Sequence, residues 1–538
     1  MLPRALGFAG VWLSPAILLG LAPLLLADGT RGLWPPLVLA SAACLTAALL
    51  GAPWAALPAG VRPTLVDLVR HREASAGPRV LPLSVAASAS ALLFLWAQLA
   101  AGRELARVVG WPAPAAIGLA VLVLVLLAWA EDLGRRLAPL GAAVALVGLA
   151  LPLAAVLLAS DAAWPRVFHV VASRPRVVFE AGGPWTREGL PVRGSGPEVA
   201  LRVTEEQRLV LLGRGRIRVE PWEGGAWSRE MTTPTELTLR PGDRLVVPDG
   251  FAIRFQAGRA IPGASPGGPD WLDPGAGPGA WRPLAGLAVT LLVGALGLAP
   301  VHGALPAARG GAARAAALGA FLGSAGLAAS VLWALYAVWL TPEVYVGGVL
   351  GSEVYELPAR VSALGAAGPA LRDVALLGLA GGGLAAGLAA LRGVPRGLEA
   401  GAAPAPGRAP GVVPTVAALA GLLATLVPVG PWPLLVAAFG LAASACAPAA
   451  LAASWSERLG ARALAVGAGV GLVAFGALSV AGLAGLGGAP ERAWLAWLTA
   501  WPAMVAAPLN ALAVWLLTPG FRPSARTPVP PDLADLHP

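Results

Sequence analysis

Trp111-Pro-Ala-Pro-Ala-Ala-Ile-Gly-Leu-Ala-Val-Leu-Val-Leu-Val-Leu-Leu-Ala-Trp-Ala130 is a stretch of twenty residues with no charged or amide side chain. A helix of about 20 such residues crosses the roughly 30 Å hydrocarbon core of a bilayer, so this stretch reads as a membrane helix. Working outward, similar runs cover approximately 5–27, 33–59, 80–102, 111–131, 136–160, 283–305, 313–341, 373–391, 411–430, 432–455, 461–487 and 493–517, about twelve in all. The composition agrees: of 538 residues 57% are hydrophobic and 12% charged, with a mean hydropathy of +0.72, against about 25% charged in soluble domains. The run at 5–27 follows Arg4 without a clean small-residue cleavage site and is expected to stay as a helix rather than leave as a signal peptide.

The 38 basic residues are all arginine and give a formal charge of +9. They lie mostly between apolar runs and therefore read as topology signals rather than as a nucleic-acid surface. Cys44 and Cys446 sit inside apolar runs, and His71, His169, His302 and His537 are scattered, so neither a disulfide scaffold nor a metal cluster is expected. His302, beside Pro300 at the end of an apolar run, is expected to be solvated at the membrane interface.

One stretch breaks the pattern. Residues 161–282 hold 16 of the 38 arginines and 14 of the 29 acidic residues. Strand-like alternation recurs there in Glu198–Val203, Arg208–Leu212, Arg216–Val219, Glu236–Arg240, Arg244–Val247 and Ala252–Phe255, between Gly, Pro and Asp turn signals. A β-sandwich or barrel of about 90 residues is the economical reading, with a Gly/Pro-rich linker over 262–279. Arg240-Pro-Gly-Asp-Arg-Leu-Val-Val-Pro-Asp-Gly250 is similar to a phrase of cupin-type barrels, but the histidines of a cupin metal site are lacking. Trp185, Trp222, Trp227 and Trp271 could line a ligand groove or cap the barrel.

Outside the insert 22 arginines remain. With the N-terminus in the cytoplasm sixteen fall on that side and six opposite, namely Arg31, Arg103, Arg107, Arg360, Arg372 and Arg492. The positive-inside rule then puts both termini, including a tail over 521–538, in the cytoplasm and the insert outside.

The order of segments resembles the sodium:solute symporter family, and within it the cation/acetate (monocarboxylate) branch. The resemblance rests on Pro63-Thr-Leu-Val-Asp-Leu-Val69, on Phe94-Leu-Trp-Ala-Gln-Leu-Ala-Ala-Gly102, and most specifically on Ala438-Phe-Gly-Leu-Ala-Ala-Ser-Ala-Cys-Ala-Pro448 followed by Ser454-Trp-Ser-Glu-Arg458 and Gly467-Ala-Gly-Val-Gly-Leu472. It implies an all-α polytopic bundle of two five-helix inverted repeats, 1–160 and 283–457, joined by the extracytoplasmic all-β insert 161–282 and followed by two further helices over 458–520. It also implies a solute site near the bilayer midplane, beside broken helices. On this sequence the site maps to Ser14 and Pro15 in the first core helix, Gln98 in the third and Ser444 in the tenth, with Gly294, Gly297 and Pro300 as the break of the sixth.

Two positions depart from the family's pattern. Val11 stands where the family's first core helix carries an aspartate, and the eighth core helix reads Gly381-Gly-Gly-Leu-Ala-Ala-Gly-Leu-Ala-Ala-Leu391, without the adjacent hydroxyls that help bind sodium. Sodium must replace its water shell with about five or six oxygens, so Na+ and H+ both stay open as the coupling ion. The expected function is secondary transport of a small organic solute such as a monocarboxylate, with lipid and solute as partners and no enzyme activity, prosthetic group or nucleic acid. The alternative is a non-transporting membrane subunit that anchors the β-domain and binds a partner protein.

Overall fold

The computed structural model describes residues 1–28, 32–55, 57, 64–72, 80–159, 190–191, 198–203, 206–221, 226–232, 234–248, 251–256, 259, 281–306, 311–340, 367–393, 412–427, 429–456, 459–484 and 493–518. Within them every apolar run is helical, as lipid requires of a segment whose backbone polar groups find no water. The helices are α1 (Leu2–Trp12), α2 (Pro15–Asp28), α3 (Trp34–Ala55), α4 (Leu65–Arg72), α5 (Leu81–Val108), α6 (Ala113–Trp129), α7 (Glu131–Ala159), α8 (Trp281–Val301), α9 (Ala312–Leu340), α10 (Gly368–Gly393), α11 (Val412–Leu426), α12 (Pro431–Leu441), a π turn (Ala442–Cys446), α13 (Ala447–Trp455), α14 (Ala461–Leu483), α15 (Ala493–Ala500) and α16 (Ala503–Leu517). Among the described residues eight spans are long, apolar and unbroken; α1/α2 and α15/α16 form two more, bent by 48° and 75°, and α6 and α11 are shorter apolar helices. The chain is a multi-pass membrane bundle with a β insert.

Small residues set how closely the helices approach. Where α7 crosses α10, Gly148 lies against Gly378 and Gly141 against Gly381, backbone on backbone. The first core helix, α1, packs on α9, α7 and α10, while the sixth, α8, packs on α3, α12 and the π turn. Phe8, Trp12, Leu13, Ile17, Phe94 and Phe439 fill the centre. By contrast Leu122, Leu126 and Trp129 of α6, Val473, Val480 and Leu483 of α14, and Trp515 and Leu516 of α16 are exposed; an apolar surface of that extent is a lipid-facing one. Between α3 and α5, Thr64 opens the short helix α4 by accepting the Asp67 N–H at 3.2 Å and donating its hydroxyl to the Asp67 carboxylate, a side-chain cap at a helix N-terminus.

Among its described residues the insert forms eight short strands: β1 (Leu190–Pro191), β2 (Glu198–Arg202), β3 (Gln207–Leu212), β4 (Gly215–Glu220), β5 (Trp227–Met231), β6 (Thr235–Leu239), β7 (Arg244–Pro248) and β8 (Ala252–Arg254). They pair antiparallel in two four-stranded sheets, β1-β8-β3-β6 and β2-β7-β4-β5. That order is the double Greek key of a jelly roll. Alternation sorts the faces: Leu209, Leu211, Ile217, Val219, Leu245, Val247 and Ile253 make the core, and Arg208, Arg216 and Arg218 stand outside. Trp227 is exposed on β5, an edge strand, and Trp185, Trp222 and Trp271 lie outside the described residues.

Candidate functional site

The break between α1 and α2 follows from one missing proton. Pro15 has no N–H to give to the carbonyl of Val11, so the ladder stops there. The Leu13 N–H still reaches the Ala9 carbonyl at 3.1 Å. Helix α2 then starts afresh, with the Ser14 carbonyl accepting from Ile17 and Leu18, both at 3.0 Å, and the Ser14 hydroxyl accepting from Ile17 at 3.3 Å. The remaining open donor at this N-terminus, the Ala16 N–H, goes across to Gln98 of α5, whose Oε1 accepts it at 3.4 Å. Ser14 and Gln98 are both buried.

Gln98 is thereby half used. Its Nε2 is buried and makes no hydrogen bond, and the indole Nε1 of Trp12, last residue of α1, is in the same condition. Buried polar atoms are normally paired, and each exception calls for an explanation. Gln98 Nε2 is a donor, and the positive end of the α2 dipole lies at the same break, so the break is suited to a group that presents oxygen acceptors; the Trp12 indole lies instead against Gly323 of α9.

The opposite wall is α10. Gly382 sits directly under the Leu13 carbonyl, Gly383 beside the Pro15 ring, and Ala385 beside Gly10. From Val374 to Leu391 the helix carries no side-chain oxygen. An ion at this wall would find backbone carbonyls and nothing more.

Ser444 belongs to a different place. It lies on the π turn, fully buried, with its hydroxyl donated to Gly440 of its own helix at 2.7 Å. The carbonyls that the π turn leaves open, those of Ser444 and Ala445, accept from Asn510 Nδ2 of α16 at 2.8 and 3.1 Å. Cys446 on the same turn is hydrogen-bonded to Ser90 of α5, and Ser90 precedes Gln98 by eight residues, about 12 Å along the helix. The structure thus brings Ser14, Pro15 and Gln98 together and places Ser444 on the π turn, with its hydroxyl bonded within its own helix.

Three further expectations change. Gly294 and Gly297 do not break the sixth core helix: α8 is continuous, and the two glycines admit the backbone carbonyls of Phe439 and Ala442. Arg103, counted among the six arginines opposite the cytoplasmic side, is not a loop residue, because α5 runs on through the neighbouring Glu104 to Val108. They form a buried pair at 2.9 Å, and the guanidinium also donates to the carbonyls of Ala424, Val427 and Val429 at 3.0 to 3.3 Å, capping the C-terminus of α11. His302 is not solvated but fully buried. Its position at the end of an apolar run gave no hint of depth.

This architecture is a polytopic membrane bundle with a broken first span and a separate β unit. A solved structure of a Na+-coupled sialic acid symporter, in a substrate-bound outward-open state, is similar to the chain with a TM-score of 0.53 over 98% of this chain and 91% of that one, at 11% sequence identity. The likeness is one of fold. No protein-family model matches the chain, and no curated protein matches it.

Proposed function

We propose that the chain is a secondary transporter for a small organic solute of the monocarboxylate class, working without sodium in the cytoplasmic membrane. The observation that carries this reading is Gln98, which spends its oxygen on the α2 N-terminus and keeps a buried, unpaired Nε2 at the break. A carboxylate supplies the missing acceptor and also suits the helix dipole. The oxygen-free wall of α10 argues against a sodium ion there.

The ten core helices form two inverted repeats in this reading. Support comes from the packing pattern, which maps onto itself when the first core helix is exchanged with the sixth, the second with the seventh, and so on. Thus α1 on α9 corresponds to α8 on α3, and α7 on α10 corresponds to α12 on α5. Rocking one group of helices against the other around the break gives alternating access. The arginine distribution, sixteen against six, puts the N-terminus in the cytoplasm and the jelly roll outside.

The test is uptake of radiolabelled pyruvate and acetate into proteoliposomes, with and without a sodium gradient. Gln98→Glu keeps the oxygen that caps α2 but replaces the free donor with a second carboxylate oxygen; it is expected to fold normally and lose at least about tenfold in uptake, since the charge-assisted bond is worth roughly 1.5–3 kcal/mol. Uptake by Gln98→Glu equal to wild type, or strict sodium dependence of the wild type, overturns the reading. A second reading, a non-transporting subunit that presents the jelly roll to a partner protein, is favoured by the same oxygen-free α10. A stoichiometric partner in pull-downs from native membranes, with no uptake of either probe, decides for it.

A further inference from the structure

His302 occupies the turn that follows Val301, the last residue of α8. It is fully buried, and neither ring nitrogen has a hydrogen-bond partner. The imidazole packs on Phe94 of α5, ring centroids 4.6 Å apart and planes at 54°. Phe94 precedes Gln98 by four residues, so the two side chains share one face of α5 about 6 Å apart along its axis. The contact with Phe94 therefore sets His302 within about one helical turn of the α1/α2 break, measured along α5.

A buried imidazole with no protein partner for either nitrogen adds nothing to stability, since a buried polar group without a partner costs free energy that an apolar residue of that size would avoid. In such a position desolvation penalises the cationic form of an imidazole. Among the described residues, the elements packed against α8 carry the ionisable residues Cys44 on α3, Asp67, Arg70, His71 and Arg72 on α4, Arg103, Glu104 and Arg107 beyond Gln98 on α5, and Cys446 on the π turn. Gly393 at the end of α10 touches the Val301 carbonyl, which brings Arg392 to this end as well. None of these groups bonds to either imidazole nitrogen.

A carboxylate entering the break alone meets the same desolvation penalty as a lone imidazolium. Together they cancel: the anion favours the protonated ring, and the protonated ring favours the anion. We propose that His302 is the proton-binding group of the carrier, so that one proton on an imidazole nitrogen and one carboxylate at Gln98 are occluded and released together. This rests on the reading of the break as a carboxylate site. The balance is one proton and one anion per cycle, with no redox step and no net charge moved.

The experiment uses the full-length protein in proteoliposomes loaded with a pH-sensitive dye, with radiolabelled pyruvate as probe and no sodium. Wild type is expected to accumulate pyruvate under an inward proton gradient, to acidify the lumen as it does so, and to be indifferent to an imposed potassium-diffusion potential. In His302→Gln the ratio of gradient-driven accumulation to pyruvate exchange at equal pH falls at least tenfold. Thermal unfolding of His302→Gln and His302→Asn controls for folding. Unchanged accumulation in a folded variant, or wild-type uptake that moves no protons, overturns the assignment while leaving carboxylate transport intact. If the wild type neither takes up pyruvate nor binds a proton on adding pyruvate to weakly buffered detergent solution, both readings fall.

Discussion

The Leu13 carbonyl and the backbone of Gly382 touch where any Cβ on residue 382 would collide with the oxygen. Gly382→Val is therefore expected to displace α10 from the break and cost about 1–3 kcal/mol, the usual range for overpacking, read as a lowered unfolding midpoint. Gly118→Ala on α6 is the control, since its Cβ enters open space, and its midpoint should hold or rise. At this scale the sequence was partly legible. A proline in an apolar run announces a carbonyl without its donor, which is why Ser14 and Pro15 stood out. Gln98 stood out as an amide in lipid, but that its two ends would be used differently depends on the crossing of α5 over α2, which no local pattern encodes. His302 escaped because burial at the end of a helix is decided by neighbours distant in sequence, here Phe94.

At the scale of elements, the tenth core helix shows what repetition in sequence cannot. Ala442–Cys446 looks like any small-residue stretch, yet it opens into a π turn because Asn510 accepts the task of pairing two loosened carbonyls. Such turns are frequent where helices must bend or serve a site. Replacing Asn510 with Ala leaves both carbonyls bare in the core, at a cost of about 1–3 kcal/mol. In a Cys44→Ser background, maleimide labelling of the buried Cys446 should then rise; labelling as slow as in the parent would show that the turn holds without Asn510. Helix positions were the most legible feature, since lipid imposes a length. Ends were less so: α5 outlasts its apolar run by six residues because Arg103 finds Glu104 and the carbonyls closing α11, a satisfaction invisible from either segment alone.

For the whole molecule, six of the eight strands were readable from alternation, and the two missed, β1 and β5, are too short or too polar to alternate. Their pairing into a jelly roll was not readable, because strand order depends on contacts between ends of the segment. That order has a practical meaning. The first strand, Leu190–Pro191, is hydrogen-bonded to the last, Ala252–Arg254, so the chain leaves the jelly roll beside the point where it entered. A unit with adjoining ends is a detachable cassette: cutting out residues 190–255 and closing the gap with a short Gly/Ser linker asks little of the helices on either side. The excised protein is expected to insert in membranes and unfold within a few degrees of the parent, and collapse of its expression would show instead that the bundle needs the cassette. The same adjoining ends would let one such membrane bundle exchange its outer module for another without redesigning a single helix.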